Sequence, residues 1–108
     1  MPSPTAYRHV VLFRWKPDVG AAEILRIEEA FAALARALPF VIGFEWGRNE
    51  SPEGLDHGYT HCFLVTFADA AGRDAYLPHP LHEAFVRDFV EPYMDDACVV
   101  DFPANLVR

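Results

Sequence analysis

Between Trp15 and Ile24 the spacing of the apolar residues changes from two to between three and four, and the same change recurs further along the chain. Residues 7–15, YRHVVLFRW, place Tyr7, His9, Val11, Phe13 and Trp15 on one face and Arg8, Val10, Leu12 and Arg14 on the other. That alternation, rich in β-branched and aromatic side chains, predicts a strand. Pro17-Asp18-Val19-Gly20 reads as a turn. From 21 to 38, Ile24, Ile27, Phe31, Leu34 and Leu38 form one helical stripe, with Glu23, Glu28, Glu29 and Arg36 on the other faces. Pro39 stops this helix, because its ring clashes with the preceding turn and it offers no N–H.

FVIGFEWGR, residues 40–48, and YTHCFLVTF, residues 59–67, predict two more strands. In the second, Tyr59, His61, Phe63, Val65 and Phe67 share a face. The polar Pro/Gly segment between them, NESPEGLDHG over 49–58, is expected to be the most flexible part of the chain. Asp69 is placed to cap a short helix over 70–77. Pro78 breaks that helix, and Pro80 opens another over 80–91, with Leu81, Phe85 and Phe89 along one side. ACVVDF, residues 97–102, predicts a last strand.

The order βαββαβ, with right-handed crossovers, packs as a four-stranded antiparallel sheet carrying both helices on one face. The expected class is α+β, ferredoxin-like, in a single domain over residues 1–108 with its core between 7 and 103. The other sheet face is left bare and carries Val10, Leu12, Cys62 and Leu64, so a homodimer that buries it is expected. Cys62 and Cys98 sit in apolar runs and read as small buried hydrophobes in a reducing compartment. Strand one lies between their strands, which leaves a gap of ~9–10 Å, beyond the ~7 Å that a disulfide spans.

Composition removes several function classes. With 52% hydrophobic residues, 14% aromatic and a net charge of −7, the chain is too apolar for disorder. The acidic balance and the lack of any Lys/Arg run argue against nucleic acid and against an anionic membrane surface as partners. No apolar stretch approaches the ~20 residues that cross a bilayer. MPSPTAY shows no charged region leading into an apolar block, so no signal peptide is expected and the expected location is cytoplasmic.

YLPHPLHEAF, residues 76–85, sets two histidines and two prolines beside a tyrosine at a forced change of chain direction. Together with RHVVLFRWKP, EWGRN, GYTHCFLVTF and the terminal VVDF, it resembles the stress-responsive dimeric α/β-barrel (Dabb) family, over His9 to Phe102. The resemblance implies ferredoxin-like subunits whose sheets face one another in a dimer. One plant member closes a polyketide by intramolecular aldol condensation without a metal cofactor. Its catalytic tyrosine and histidine correspond to Tyr76 and His82, and its strand histidines to His9 and His61.

The residue types suit that chemistry. An aldol closure needs a base to take a proton from a carbon next to carbonyls, and a donor to hold the enolate oxygen. His82 in the first turn of a helix meets the positive end of the dipole, which favours the neutral, proton-accepting ring. Tyr76 supplies an O–H donor. His9 and His61 share a side-chain parity and are expected to line the polar end of a pocket, with Phe31, Phe63, Phe85 and Phe89 as an apolar wall excluding water. His79 reads as a helix cap, and Asp101 as a structural carboxylate bonded to backbone or to a basic residue such as Arg14. Only His79 and His82 have ligand-like spacing, so neither a metal nor another cofactor is expected. The expected partner beside a second copy is a small apolar or phenolic ligand. Two further readings stand beside cofactor-free acid/base catalysis on a β-keto compound: a non-catalytic dimeric stress or ligand-binding protein, and a cofactor-free monooxygenase.

Overall fold

A computed structural model describes residues 6–107, so the reading of residues 1–5 lies outside it. The elements are β1 (Tyr7–Trp15), α1 (Ala21–Ala37), β2 (Gly43–Arg48), β3 (His61–Phe67), α2 (Ala70–Tyr76), α3 (Pro80–Phe85) and β4 (Met94–Pro103). They form one antiparallel sheet in the order β2-β3-β1-β4, with β1 between β3 and β4 as expected. The fold is the anticipated ferredoxin-like one.

The boundaries move where local hydrogen bonds compete with the ladder. β2 starts at Gly43 because the chain first turns off the end of α1, with the Val41 N–H donating to the Leu38 carbonyl. β3 starts at His61 because the Tyr59 N–H closes a loop turn onto Asp56. The helix expected over 80–91 is α for one stretch only. From Val86 to Val90 it widens into a π-helical turn, and the Glu91 N–H reaches back to Val86. β4 begins three residues early, at Met94, through a register shift that pairs Trp15 with Met94.

The segment 49–58 is tied down by side chains. Asn49 Nδ2 donates to Asp56 at 2.9 Å, the other Asp56 oxygen accepts from the Gly58 N–H at 2.8 Å, and Arg14 donates to the His57 carbonyl at 3.0 Å. His57 takes φ 56°, a left-handed conformation rare outside glycine.

The inner sheet face presents Val11, Phe13, Phe63, Val65 and Phe67 to Ile27, Phe31, Leu34 and the C-cap Leu38 of α1, to Tyr76 of α2 and to Phe85 of α3. Burial of each such side chain is worth about 1.5–3 kcal/mol. The outer face has no layer over it. Cys62 is therefore exposed and Cys98 half-buried, a correction to their reading as interior residues: both point away from the helices. No helix among the described residues is long and apolar enough to cross a membrane.

Candidate functional site

Tyr76 is the last residue of α2, and the helix ends by turning it inward. Leu77 follows as the C-cap, Pro78 cannot continue the turn, and the His79 N–H closes onto the Tyr76 carbonyl at 3.1 Å. His79 then caps α3, its Nδ1 accepting from the Leu81 N–H at 3.1 Å. This tight connection sets Tyr76 and His82 side by side with ring centroids 4.4 Å apart. His9, the third residue of β1, packs edge to face with the same tyrosine, with ring centroids 5.7 Å apart.

Tyr76 is only 1% exposed, and among the described residues its hydroxyl has no hydrogen-bond partner. Buried polar groups are nearly always paired, because leaving one unpaired costs about 1–3 kcal/mol. Burial also pushes the phenol's pKa well up, so Tyr76 is an O–H donor throughout the physiological range.

His82 is half-buried. Its Nδ1 faces the Leu77 carbonyl at 2.9 Å. A carbonyl only accepts, so Nδ1 carries the hydrogen and Nε2 of the neutral ring holds a lone pair. Burial is the main cause holding the His82 pKa below its usual value; the Leu77 bond opposes it and His9 adds to it. The ring is thus neutral near pH 7. The sequence pointed to that state through the helix dipole, whereas the structure attributes it first to desolvation.

His9 is 4% exposed, and its Nδ1 meets Asp101 Oδ1 at 2.6 Å. The other Asp101 oxygen accepts from Arg73 at 3.0 Å, and Arg73 also donates to the Tyr7 hydroxyl at 2.9 Å. Asp101 thus bonds a basic residue as expected, but that residue is Arg73 and not Arg14. Arg14 bonds Asp95 at 2.7 Å, at the far end of β4. Sequence reasoning missed the role of Asp101 because the β1–β4 register was not in hand. That register sets His9 directly opposite Asp101.

His61 does not join this cluster. It lies opposite Phe13, four residues along β1 from His9, roughly 13 Å away at ~3.3 Å per residue. There its Nε2 meets the buried Glu28 at 2.8 Å, and its Nδ1 accepts from the Trp15 indole N–H at 3.1 Å. Glu28 also takes two bonds from Arg48, at 3.0 and 3.1 Å. Every partner in this second cluster is therefore satisfied.

Phe31, Phe63 and Phe85 are buried, and Phe31 lies 4.6 Å from Phe63 and 4.7 Å from Phe85 between ring centroids. They fill the interior between sheet and helices as core. Phe89 is half-buried and stacks on Phe85 at 6.0 Å. A basin of about 640 Å³ lies elsewhere, between the outer sheet face and the 49–58 segment, with Leu12, Trp46, Leu55 and Cys62 among its lining. The acid/base groups lie on the inner face, at Tyr76. A tyrosine with an unpaired buried hydroxyl and two imidazoles against its ring is the stronger sign of chemistry, since an open basin on an uncovered sheet needs no ligand to explain it.

Comparisons with known proteins agree with this architecture. The chain is 33% identical over 105 residues to the stress-response A/B barrel domain-containing protein At5g22580 of Arabidopsis thaliana, covering 96% of this chain and 91% of that one. It is 23% identical over 97 residues to the olivetolic acid cyclase of Cannabis sativa, covering 90% and 95%. A dimeric ferredoxin-like protein of unknown function from Thermobifida fusca superposes with a TM-score of 0.76 at 27% identity, over 93% of this chain and 92% of that one. The family model described as the stress responsive A/B barrel domain matches residues 7–104, and this chain belongs to that family, Dabb.

Proposed function

We propose that the protein is a homodimer that carries out cofactor-free acid/base chemistry on a small β-keto or related enolisable compound, with His82 as the proton acceptor and Tyr76 as the donor that holds the developing enolate oxygen. The observation that carries this reading is the Tyr76 hydroxyl, buried and unpaired beside the His82 ring. A substrate oxygen in that position would satisfy it. A neutral imidazole with a free Nε2 and a phenol that stays protonated are the two groups an enolisation needs. His9 completes the polar surroundings. Phe31, Phe63, Phe85 and Phe89 exclude water, and their packing restricts the substrate to one without a long tail. The relative named olivetolic acid cyclase supports an aldol-type closure as the reaction class.

The test is turnover of a panel of short β-keto compounds, read as product formation and as the change in enolate absorbance. His82→Ala and Tyr76→Phe are expected to lower the rate by about 10²- to 10⁴-fold, the usual worth of a positioned acid or base. A panel left untouched by the parent protein, or turned over equally by both variants, refutes the reading.

One observation favours a second reading. The aromatic rings of the interior are in mutual contact. A non-catalytic dimeric stress-response or ligand-binding protein would need no more room than that. It is distinguished by binding without turnover, with His82→Ala no more disruptive than an ordinary half-buried change.

A further inference from the structure

We propose that Asp101 is a positioning residue that fixes His9 as a second proton acceptor in this site, so that two imidazoles, not one, serve a ligand bound at Tyr76. The inference rests on the acid/base reading of Tyr76 and His82 and adds a role that the pair alone does not supply.

The geometry is specific. Asp101 Oδ1 lies 2.6 Å from His9 Nδ1, and Arg73 donates to Asp101 Oδ2 at 3.0 Å. Arg73 is in turn held by Asp74 at 2.9 Å and by the Tyr7 hydroxyl at 2.9 Å. The carboxylate is therefore clamped from behind and has one oxygen left to give. A carboxylate accepts, so the neutral His9 ring donates from Nδ1 and keeps its lone pair on Nε2. His82 reaches the same state by another route, its Nδ1 donating to the Leu77 carbonyl. Two rings with the same tautomer thus flank one unpaired phenol, His9 at 5.7 Å and His82 at 4.4 Å between centroids.

The two acceptors are not equivalent. Charge that forms on His9 as it takes up a proton meets a hydrogen-bonded carboxylate, whereas the hydrogen-bond partner of the His82 ring is a backbone carbonyl. With a ketone bound, a proton leaves the α-carbon for Nε2 of an imidazole. The C–H electron pair becomes the enolate, whose oxygen Tyr76 holds. The proton then returns to carbon, or exchanges with solvent first. The step involves no oxidant, reductant or leaving group. A structural strut joining β1 to β4 would need the carboxylate but not this tautomer.

Asp101→Asn separates the two roles. Arg73 can only donate, so it holds the amide oxygen and leaves the amide NH₂ facing His9. His9 Nδ1 must then accept, and the hydrogen moves to Nε2. Two measurements on the full chain follow this. The first is ¹⁵N NMR of histidine-labelled protein. His9 Nε2 is expected to resonate as a pyridine-like nitrogen in the parent and in Asp101→Glu, and as a pyrrole-like nitrogen in Asp101→Asn. The second is the exchange of the α-protons of cyclohexanone in D₂O. Asp101→Asn is expected to slow the protein-dependent exchange by at least about tenfold, with partial recovery in Asp101→Glu, which also keeps the test open should the Asn variant fold poorly.

An Asn variant with an unchanged Nε2 signal overturns the inference, and so does one that exchanges cyclohexanone at the parent rate. If the parent itself gives no exchange, the acid/base reading of the whole site falls. The tautomer measurement then still decides, independently, whether Asp101 positions His9.

Discussion

At the scale of single residues, the Tyr76 hydroxyl is a local cost that the free protein bears. An unpaired buried hydroxyl destabilises by about 1–3 kcal/mol, and replacing it with hydrogen removes the cost without leaving a hole. Tyr76→Phe is therefore expected to raise unfolding stability by about 1 kcal/mol in denaturant titrations, while abolishing whatever the site does. A loss of stability would show that the hydroxyl is already satisfied in the free protein, and the site argument would lose its main support. His61 and His82 belong to this scale too. Burial lowers both pKa values below 6.5, so the unfolded chain binds more protons than the folded one below that pH. Their penalty is absent above 6.5, and stability falls as the pH drops from there through the lower folded values. Nδ1 of His61 has no room for a proton, because it already accepts the Trp15 N–H. His61→Gln is expected to flatten the acid limb of a stability-against-pH curve; an unchanged slope would show that His61 does not contribute to it.

Among the elements, α1 is fastened to the β2–β3 end of the sheet by one buried carboxylate. Glu28 sits within the apolar side of the helix, at 3% exposure, and receives His61 from β3 and Arg48 from β2. Removing a carboxylate from such a set strands its partners, so Glu28→Ala is expected to cost about 3 kcal/mol or more, read from thermal or denaturant unfolding. A cost below about 1 kcal/mol would place the pair with the weak surface bridges. The strands and helices themselves were legible, because alternation in YRHVVLFRW and the Ile24–Ile27–Phe31–Leu34 stripe encode burial directly. So were the caps at Asp69 and His79, where a side chain answers its own backbone. Glu28 and Asp101 were harder. Each owes its role to a partner 33 or 92 positions away, which pattern cannot supply without register. The grouping of His61 with His9 failed for the same reason. Shared parity puts two residues on one face, but only the ladder says how far apart along it they lie.

For the whole molecule, a two-layer fold has to do something with its second sheet face. Here that face carries Val10, Leu12 and Leu64, half-buried at the centre, with Val100 54% and Phe102 41% exposed on β4. Apolar area of this kind marks an interface in a soluble domain, and stable interfaces bury about 1,200–2,000 Å² in total. The proposed homodimer covers it, and its consequences are measurable. Sedimentation equilibrium is expected to give twice the chain mass, and the thermal midpoint to rise with protein concentration, because association stabilises only the folded chain. Leu64→Lys, at the middle of the face beside Val10, should shift the protein toward monomer by placing an unpaired charge in the interface. Cys62 reports the same event chemically. Its thiol is exposed in the single chain, so it should be alkylated slowly in the dimer and quickly in the Leu64→Lys variant. A parent protein that sediments as a monomer, or a Cys62 equally reactive in both, would leave the outer face to another partner and remove the second copy from the proposal.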